Sequence, residues 1–192
     1  MDLPNMPELK NEEDYSSDDK LRYVLAFILE YTGPFYKMLE YNNSSIKETY
    51  KALYKRDYDE DVTINKIKDF VDEFIKVSKP WPIKLYRGVN LSEQELNKHL
   101  KDPNNVSMGD ISSWTSKLNV AAYYAQGEED TEVIYLLEDN KSAVSISHLS
   151  MFYDEGEFLA ASTTKYKVVK KENKTTNHTK RFHVYLEEVE EK

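Results

Sequence analysis

The chain has 192 residues, 40% of them hydrophobic and 32% charged, and its 35 acids against 26 bases leave a formal net charge of −9. One domain with a genuine core suits that length, while net acidity disfavours a general duplex-DNA binder, whose phosphate contacts need clustered Lys and Arg. With no cysteine, disulfides, thiolate zinc sites and cysteine nucleophiles are excluded.

Residues 1–17, with Pro4, Pro7 and an acidic run at 11–14, read as a flexible lead-in. Met1-Asp2-Leu3-Pro4 lacks the basic and apolar regions of a signal peptide. No stretch approaches the roughly 20 apolar residues that cross a bilayer. The expectation is a soluble cytoplasmic protein with no membrane partner.

Asp18 and Asp19 can cap a first helix with Leu21, Val24, Leu25, Ile28 and Leu29 at helical spacing. Gly33-Pro34 interrupts it, and an apolar stretch at 35–41 follows. Ser44 or Ser45 caps a helix through Ile46, Tyr50, Leu53 and Tyr54. Thr63 opens another, with Ile64, Ile67, Phe70, Val71, Phe74 and Ile75 on one face.

Pro80-Trp81-Pro82 stops the helical part, and residues 83–87 alternate as a strand. A short helix at 92–100, a loop at 102–105, a strand at 106–112 and a helix at 119–126 come next. Strands are predicted at 131–138, 143–147, 158–161, 166–169 and 181–189, with a polar hairpin connection at 173–179. The pattern predicts an α+β fold: a helical part (18–79) packed on a mostly antiparallel β-rich part (80–192), forming one domain.

Arginine occurs only at 22, 56, 87 and 181, and glycine at five positions, so their placement is informative. Arg87 ends a strand and Gly88 follows it. A guanidinium clamps an anion in bidentate fashion, and a glycine lets a ligand approach the backbone. Taken alone, the pair is more simply a surface strand end.

Residues 109–116 set four hydroxyls around Trp114, between a strand and a helix, where they can bind a sugar or a carboxylate. The plainer account has Thr115 or Ser116 capping the helix and Trp114 in the core. Asp154-Glu155-Gly156-Glu157 precedes an apolar strand. In an extended segment Glu155 and Glu157 face the same way, and paired carboxylates raise the proton affinity of one partner. An acidic turn is the alternative. His99, His148, His178 and His183 show neither metal-ligand spacing nor a serine–histidine–acid arrangement, and no Gly-rich phosphate loop is present, so no metal is expected.

In order, Tyr86-Arg87-Gly88, Ser113-Trp114-Thr115 with Ala121-Ala122-Tyr123-Tyr124-Ala125, and Glu155-Gly156-Glu157 heading a strand resemble the Arg–Ser–Glu class of mono-ADP-ribosyltransferases. That class includes actin-modifying clostridial toxins and bacteriophage enzymes directed at host proteins. Tyr31-Thr32-Gly33 resembles the helical segment covering the nicotinamide side, and the resemblance spans about residues 20 to 190. Trp114 departs from the Thr or Ser of many relatives.

The resemblance implies a split, mostly antiparallel β core with a central NAD cleft and an N-terminal helical segment packed on it. It implies that Arg87 holds the NAD phosphates, the Gly88 backbone clamps the carboxamide and Tyr124 sits against the nicotinamide. Ser113 would orient Glu157, the catalytic glutamate, and Glu155 would engage the acceptor. Glu rather than Gln at that first position resembles the arginine-directed subgroup. The implied activity is transfer of ADP-ribose from NAD to arginine on a target protein, by a monomer and without metal.

The open alternatives are an NAD glycohydrolase, transfer to RNA, or a non-catalytic binding module on the same fold. For RNA, Lys165, Lys167, Lys170, Lys171, Lys174 and Lys180 form a candidate basic patch, with a solvated hairpin as its simpler explanation. The Lys-, Asn- and Tyr-rich composition suits a phage protein acting inside a bacterium.

Overall fold

The computed structural model describes residues 18–33, 44–150, 153–176 and 179–189. The expected lead-in at 1–17 and the apolar stretch at 35–41 lie outside the described residues. Three helices come first: α1 (Asp18–Tyr31), α2 (Ser44–Tyr54) and α3 (Ile64–Val77). In α3 the helical spacing of Ile67, Val71, Phe74 and Ile75 makes one buried face, and the Thr63 hydroxyl caps it by accepting the Lys66 N–H at 3.4 Å. Tyr23 stacks on Tyr50 with ring centroids 4.7 Å apart, and Tyr58 meets both edge-on.

The strands are β1 (Leu85–Leu91), β2 (Val106–Ser107), β3 (Ser112–Thr115), β4 (Thr131–Leu137), β5 (Val144–Ser145), β6 (Glu157–Ala160), β7 (Lys165–Asn173) and β8 (Lys180–Glu188). They form one sheet in the order β2-β7-β8-β4-β1-β3-β6-β5, antiparallel except for β4 beside β8. Two further helices are α4 (Glu93–His99), closed by a capping box between Ser92 and Glu95, and α5 (Leu118–Tyr124).

The expected split appears as a pinch. β1 and β3 share one registered pair, Tyr86 with Thr115, whereas β1 and β4 are registered along seven residues. One face of the sheet carries two separate covers. The α1–α3 layer buries Ile111, Val144, Ile146, Leu159 and Ala161 at the β3–β6–β5 end. α5 buries Ala121 and Ala125 against Ile134 and Leu136 of β4. Between the covers a cleft opens over the pinch. The opposite face carries its own core around Trp114, Tyr135, Tyr166 and Phe158. Asp72 of α3 accepts the Ser162 backbone N–H at 2.9 Å and also its hydroxyl, tying the helical layer to the turn after β6.

Three local expectations change. The strand predicted at 106–112 is two short strands divided by a turn at Gly109, whose φ of 86° is glycine's left-handed region. The first β strand begins at Leu85 and runs on to Leu91. α5 has Lys117 at its N-cap with no side-chain capping bond, and the Thr115 hydroxyl, expected as a cap, accepts the Lys117 N–H at 3.0 Å while donating elsewhere.

His99 is structural, its ring nitrogens 2.6 Å from the Tyr135 hydroxyl and the Ser107 carbonyl. The lysines of the 165–180 segment are largely engaged: Lys167 with Glu187, Lys170 and Lys174 with Glu172, Lys180 with Glu93, and Lys171 over the Phe182 ring. That pairing removes most of the candidate basic patch.

Candidate active site

The cleft has a volume of about 1120 Å³ and takes its walls from the end of α1, from β1, β3 and α5, and from the turn before β6. That is roomy for a drug-sized ligand and suits one as long as a dinucleotide. Arg87, Gly88, Ser113, Tyr124, Glu155 and Glu157 all line it, with Tyr31, Thr32 and Gly33.

Glu157 lies opposite Thr115 in the β3–β6 ladder, and Ser113, two residues along β3, projects to the same side. The Ser113 hydroxyl donates to Glu157 Oε1 at 2.6 Å. Trp114, between them in register, points the other way into the core and donates to the Ser112 hydroxyl at 3.2 Å. Period-two alternation thus explains how a tryptophan fits between Ser113 and Thr115.

Glu157 is only 7% exposed. Burial pushes its carboxyl above the usual range; hydrogen bonds from Ser113 and Ser150 pull it down, and the Glu155 charge adds to the rise.

Glu155 reaches the cleft by a different route from the one expected. It ends a 3-10 turn (Tyr153–Glu155), and Gly156 follows with φ of 61°. A reversal at glycine, rather than strand alternation, brings the two carboxylates to one cleft. A Cβ at Gly156 would also sit 2.4 Å from the Ser116 hydroxyl oxygen. The turn is pinned by the Thr115 hydroxyl donating to the Glu155 carbonyl at 2.5 Å and by the Ser116 N–H donating to the Gly156 carbonyl at 3.0 Å.

The Tyr124 hydroxyl donates to the Glu155 carboxylate at 3.1 and 3.2 Å. Burial raises the Glu155 carboxyl, the Tyr124 bond opposes that, and Asp154 adds to the rise. Tyr124, read from the resemblance as a nicotinamide neighbour, is therefore also the hydrogen-bond partner of Glu155.

Arg87 occupies the pinch. Its Nη1 donates to the Ser113 carbonyl at 2.7 Å, and its Nε is buried without a partner. Burial pushes up the hydroxyls of Tyr31, Tyr135 and Tyr166, and the Arg87 charge opposes the rise in all three. A fixed cation with an unused buried donor beside a cleft is suited to an anion such as phosphate.

Gly88 is required for packing. A Cβ there would lie 1.7 Å from the Ala121 carbonyl oxygen of α5. The close approach expected at this glycine is made by a helix.

Sequence reasoning missed two residues of the site. Ser150 donates to Glu157 Oε2 at 2.8 Å. Asn90 braces the loop after α5: its amide N–H groups face the carbonyls of Ala125, Glu129 and Thr131 at 3.2, 3.2 and 3.3 Å, and its carbonyl accepts the Glu129 N–H at 2.7 Å. Gln126, Gly127 and Glu128 of that loop line the cleft. Asn90 sits three residues after Arg87, but nothing in its spacing marks it. No group of metal-binding side chains occurs among the described residues.

No protein-family model matches the chain, and no curated protein matches it by sequence. Solved structures do. The Vis toxin of Vibrio splendidus, an ADP-ribosyltransferase, is 14% identical with a TM-score of 0.63 over 94% of this chain and 78% of its own. The ADP-ribosyltransferase HopU1 of Pseudomonas syringae is 15% identical, with a TM-score of 0.58 over 93% and 83%. Exoenzyme S of Pseudomonas aeruginosa, solved bound to carba-NAD, is 17% identical, with a TM-score of 0.56 over 87% and 73%. Through its pinched sheet, central cleft and helical cover, the chain has the ADP-ribosyltransferase fold.

Proposed function

We propose that the protein transfers ADP-ribose from NAD to arginine side chains of a target protein, releasing nicotinamide. The observation that carries this reading is a buried glutamate held by hydroxyls in a cleft that also contains a second carboxylate and a fixed arginine. Support comes from the neighbours: exoenzyme S was solved with carba-NAD, and Vis with agmatine, a small guanidine.

Arg87 binds the phosphates, using the buried Nε that has no protein partner. The Gly88 backbone and the Tyr124 ring receive the nicotinamide. When nicotinamide leaves NAD, the ribose carbon it departs from becomes cationic, as in glycoside cleavage. Glu157, oriented by Ser113, stabilises that cation electrostatically. Glu155 faces the incoming guanidinium, positions it and accepts the proton lost when nitrogen bonds to the ribose carbon. The reading invokes no metal.

Residues 18–192 act here as one catalytic unit, because the helical part supplies Tyr31 to a cleft whose other walls come from the β-rich part. The reading takes the protein to act as a monomer. The setting that fits is the cytoplasm of a bacterial host, with a phage as the source.

The test is labelled NAD with agmatine, with a cell lysate split by protease and nuclease digestion, and with water alone. Label should enter agmatine and a protease-sensitive product. Label confined to RNA, or hydrolysis alone, would refute arginine transfer. Glu155→Gln should lower transfer to agmatine by about 10²-fold or more while leaving NAD hydrolysis largely intact. Tyr124→Phe keeps the ring but frees the Glu155 carboxylate, and should lower transfer about three- to tenfold with little change in KM for NAD.

A further inference from the structure

Ser113 supplies half of what holds Glu157. Its hydroxyl occupies Oε1 at 2.6 Å, and Ser150 occupies Oε2 at 2.8 Å. One serine comes from β3, the other from the turn that follows β5. That turn is firmly built. The N–H groups of Leu149 and Ser150 both donate to the Ile146 carbonyl, at 2.8 and 2.9 Å, and Leu149 is buried in the core under the helices. The same segment grips the Glu157 backbone: the Ile146 N–H donates to its carbonyl at 3.0 Å, and the Ser147 hydroxyl at 3.3 Å.

We propose that Ser150 is a second positioning residue for Glu157, fixing the plane of the carboxylate jointly with Ser113 by keeping a hydroxyl donor on each of its oxygens. The proposal rests on the ADP-ribose-transfer reading above. A glutamate's last torsion is broad, so a single donor leaves the carboxylate free to swing about the bonded oxygen. Donors on both oxygens remove that freedom.

Charge-assisted bonds also favour the ionised form, which burial opposes. The charged and titratable groups that line the cleft with this carboxylate include Arg87 on β1, Tyr31 at the end of α1, Tyr124 on α5 and Glu155 in the preceding turn, of which Glu155 bears directly on its ionisation. Glu155 works against ionisation. Ser150 and Ser113 work for it.

The experiment compares wild type, Ser150→Ala, Ser150→Thr and Glu157→Gln. NAD hydrolysis and transfer to agmatine are followed across pH, and carboxyl-¹³C glutamate NMR follows Glu157, identified by the resonance that Glu157→Gln removes. Ser150→Ala should lower kcat about tenfold or more and leave KM for NAD within about twofold. Its acid limb and the Glu157 resonance should both titrate at higher pH, because a bond that favours the anion has been lost. Ser150→Thr should restore most of the rate and the titration.

If Ser150→Ala keeps wild-type kcat and an unmoved Glu157 titration beside an inactive Glu157→Gln, the proposal falls and the transfer reading stands. A rate loss without a titration shift, unrepaired by threonine, makes Ser150 merely structural and also overturns it. A wild-type protein that consumes no NAD overturns both readings.

Discussion

Glu157→Gln is expected to lower kcat for ADP-ribose transfer by about 10²–10⁴-fold, with the fold intact. The amide matches the carboxylate in size and still accepts a hydrogen bond, so packing survives while the negative charge beside the cationic ribose carbon is lost. Burial sets the pH behaviour: it raises the Glu157 carboxyl, so wild-type activity should fail on acidification at a pH above the ordinary glutamate range. The residual rate of Glu157→Gln should lack that limb. Single-turnover measurements with labelled NAD across pH would show both effects.

Thermal melting supplies the control, with a definite sign. A carboxyl raised on folding favours the native state at low pH, and this contribution is lost as pH rises through the folded value. At neutral pH the wild type carries the cost of a buried charge that glutamine lacks. Glu157→Gln should therefore melt no lower than wild type, and inactivity accompanied by unfolding would argue against a direct role.

Gly88→Ala is the second large effect. The added Cβ would stand 1.7 Å from the Ala121 carbonyl oxygen and the same position is 2.8 Å from the Ala125 nitrogen. Both atoms are backbone, so α5 must move as a body. Overpacking of this kind costs about 3 kcal/mol or more.

α5 also carries Tyr124 and leads into the loop braced by Asn90. A shift of roughly 1 Å would therefore distort the cleft and cost on the order of 10²-fold in rate even where the protein still folds. Denaturant melts and NAD kinetics on one preparation would separate the two losses. Full stability would mean that α5 does not press on β1 as described.

What could be read from the chain and what could not divide along physical lines. Arg87 and Glu157 are ambiguous alone and gain weight from the scarcity of arginine and from the order of the three motifs, whereas the helical faces are legible because burial enforces period 3.6. Ser113 is singled out only by the resemblance; by itself it is one of four hydroxyls around Trp114. The shared direction of Glu155 and Glu157 was expected for the wrong reason, since it depends on a left-handed Gly156. Ser150, Asn90 and the crowding at Gly88 were invisible. Each depends on where a turn or helix lands against a strand distant in sequence, and a serine or asparagine in a polar segment has many ordinary uses. The split of the core comes with the resemblance, but its form as a single-pair pinch between β1 and β3 is not legible, because ladder length is set by strand twist and by the covers on each side.

The two glutamates differ in how they are built in. Glu157 is woven into a strand ladder and buried, so almost any neighbour that changes disturbs it. Glu155 stands on a short turn whose outer residue, Asp154, is exposed, beside an α5 surface where Tyr123 is open to solvent. Under the proposed reading, bond breaking is inherited with the scaffold, whereas the choice of victim sits on replaceable ornament. Under that reading, changes confined to the rim could alter the target while the buried glutamate and its ladder stay as they are.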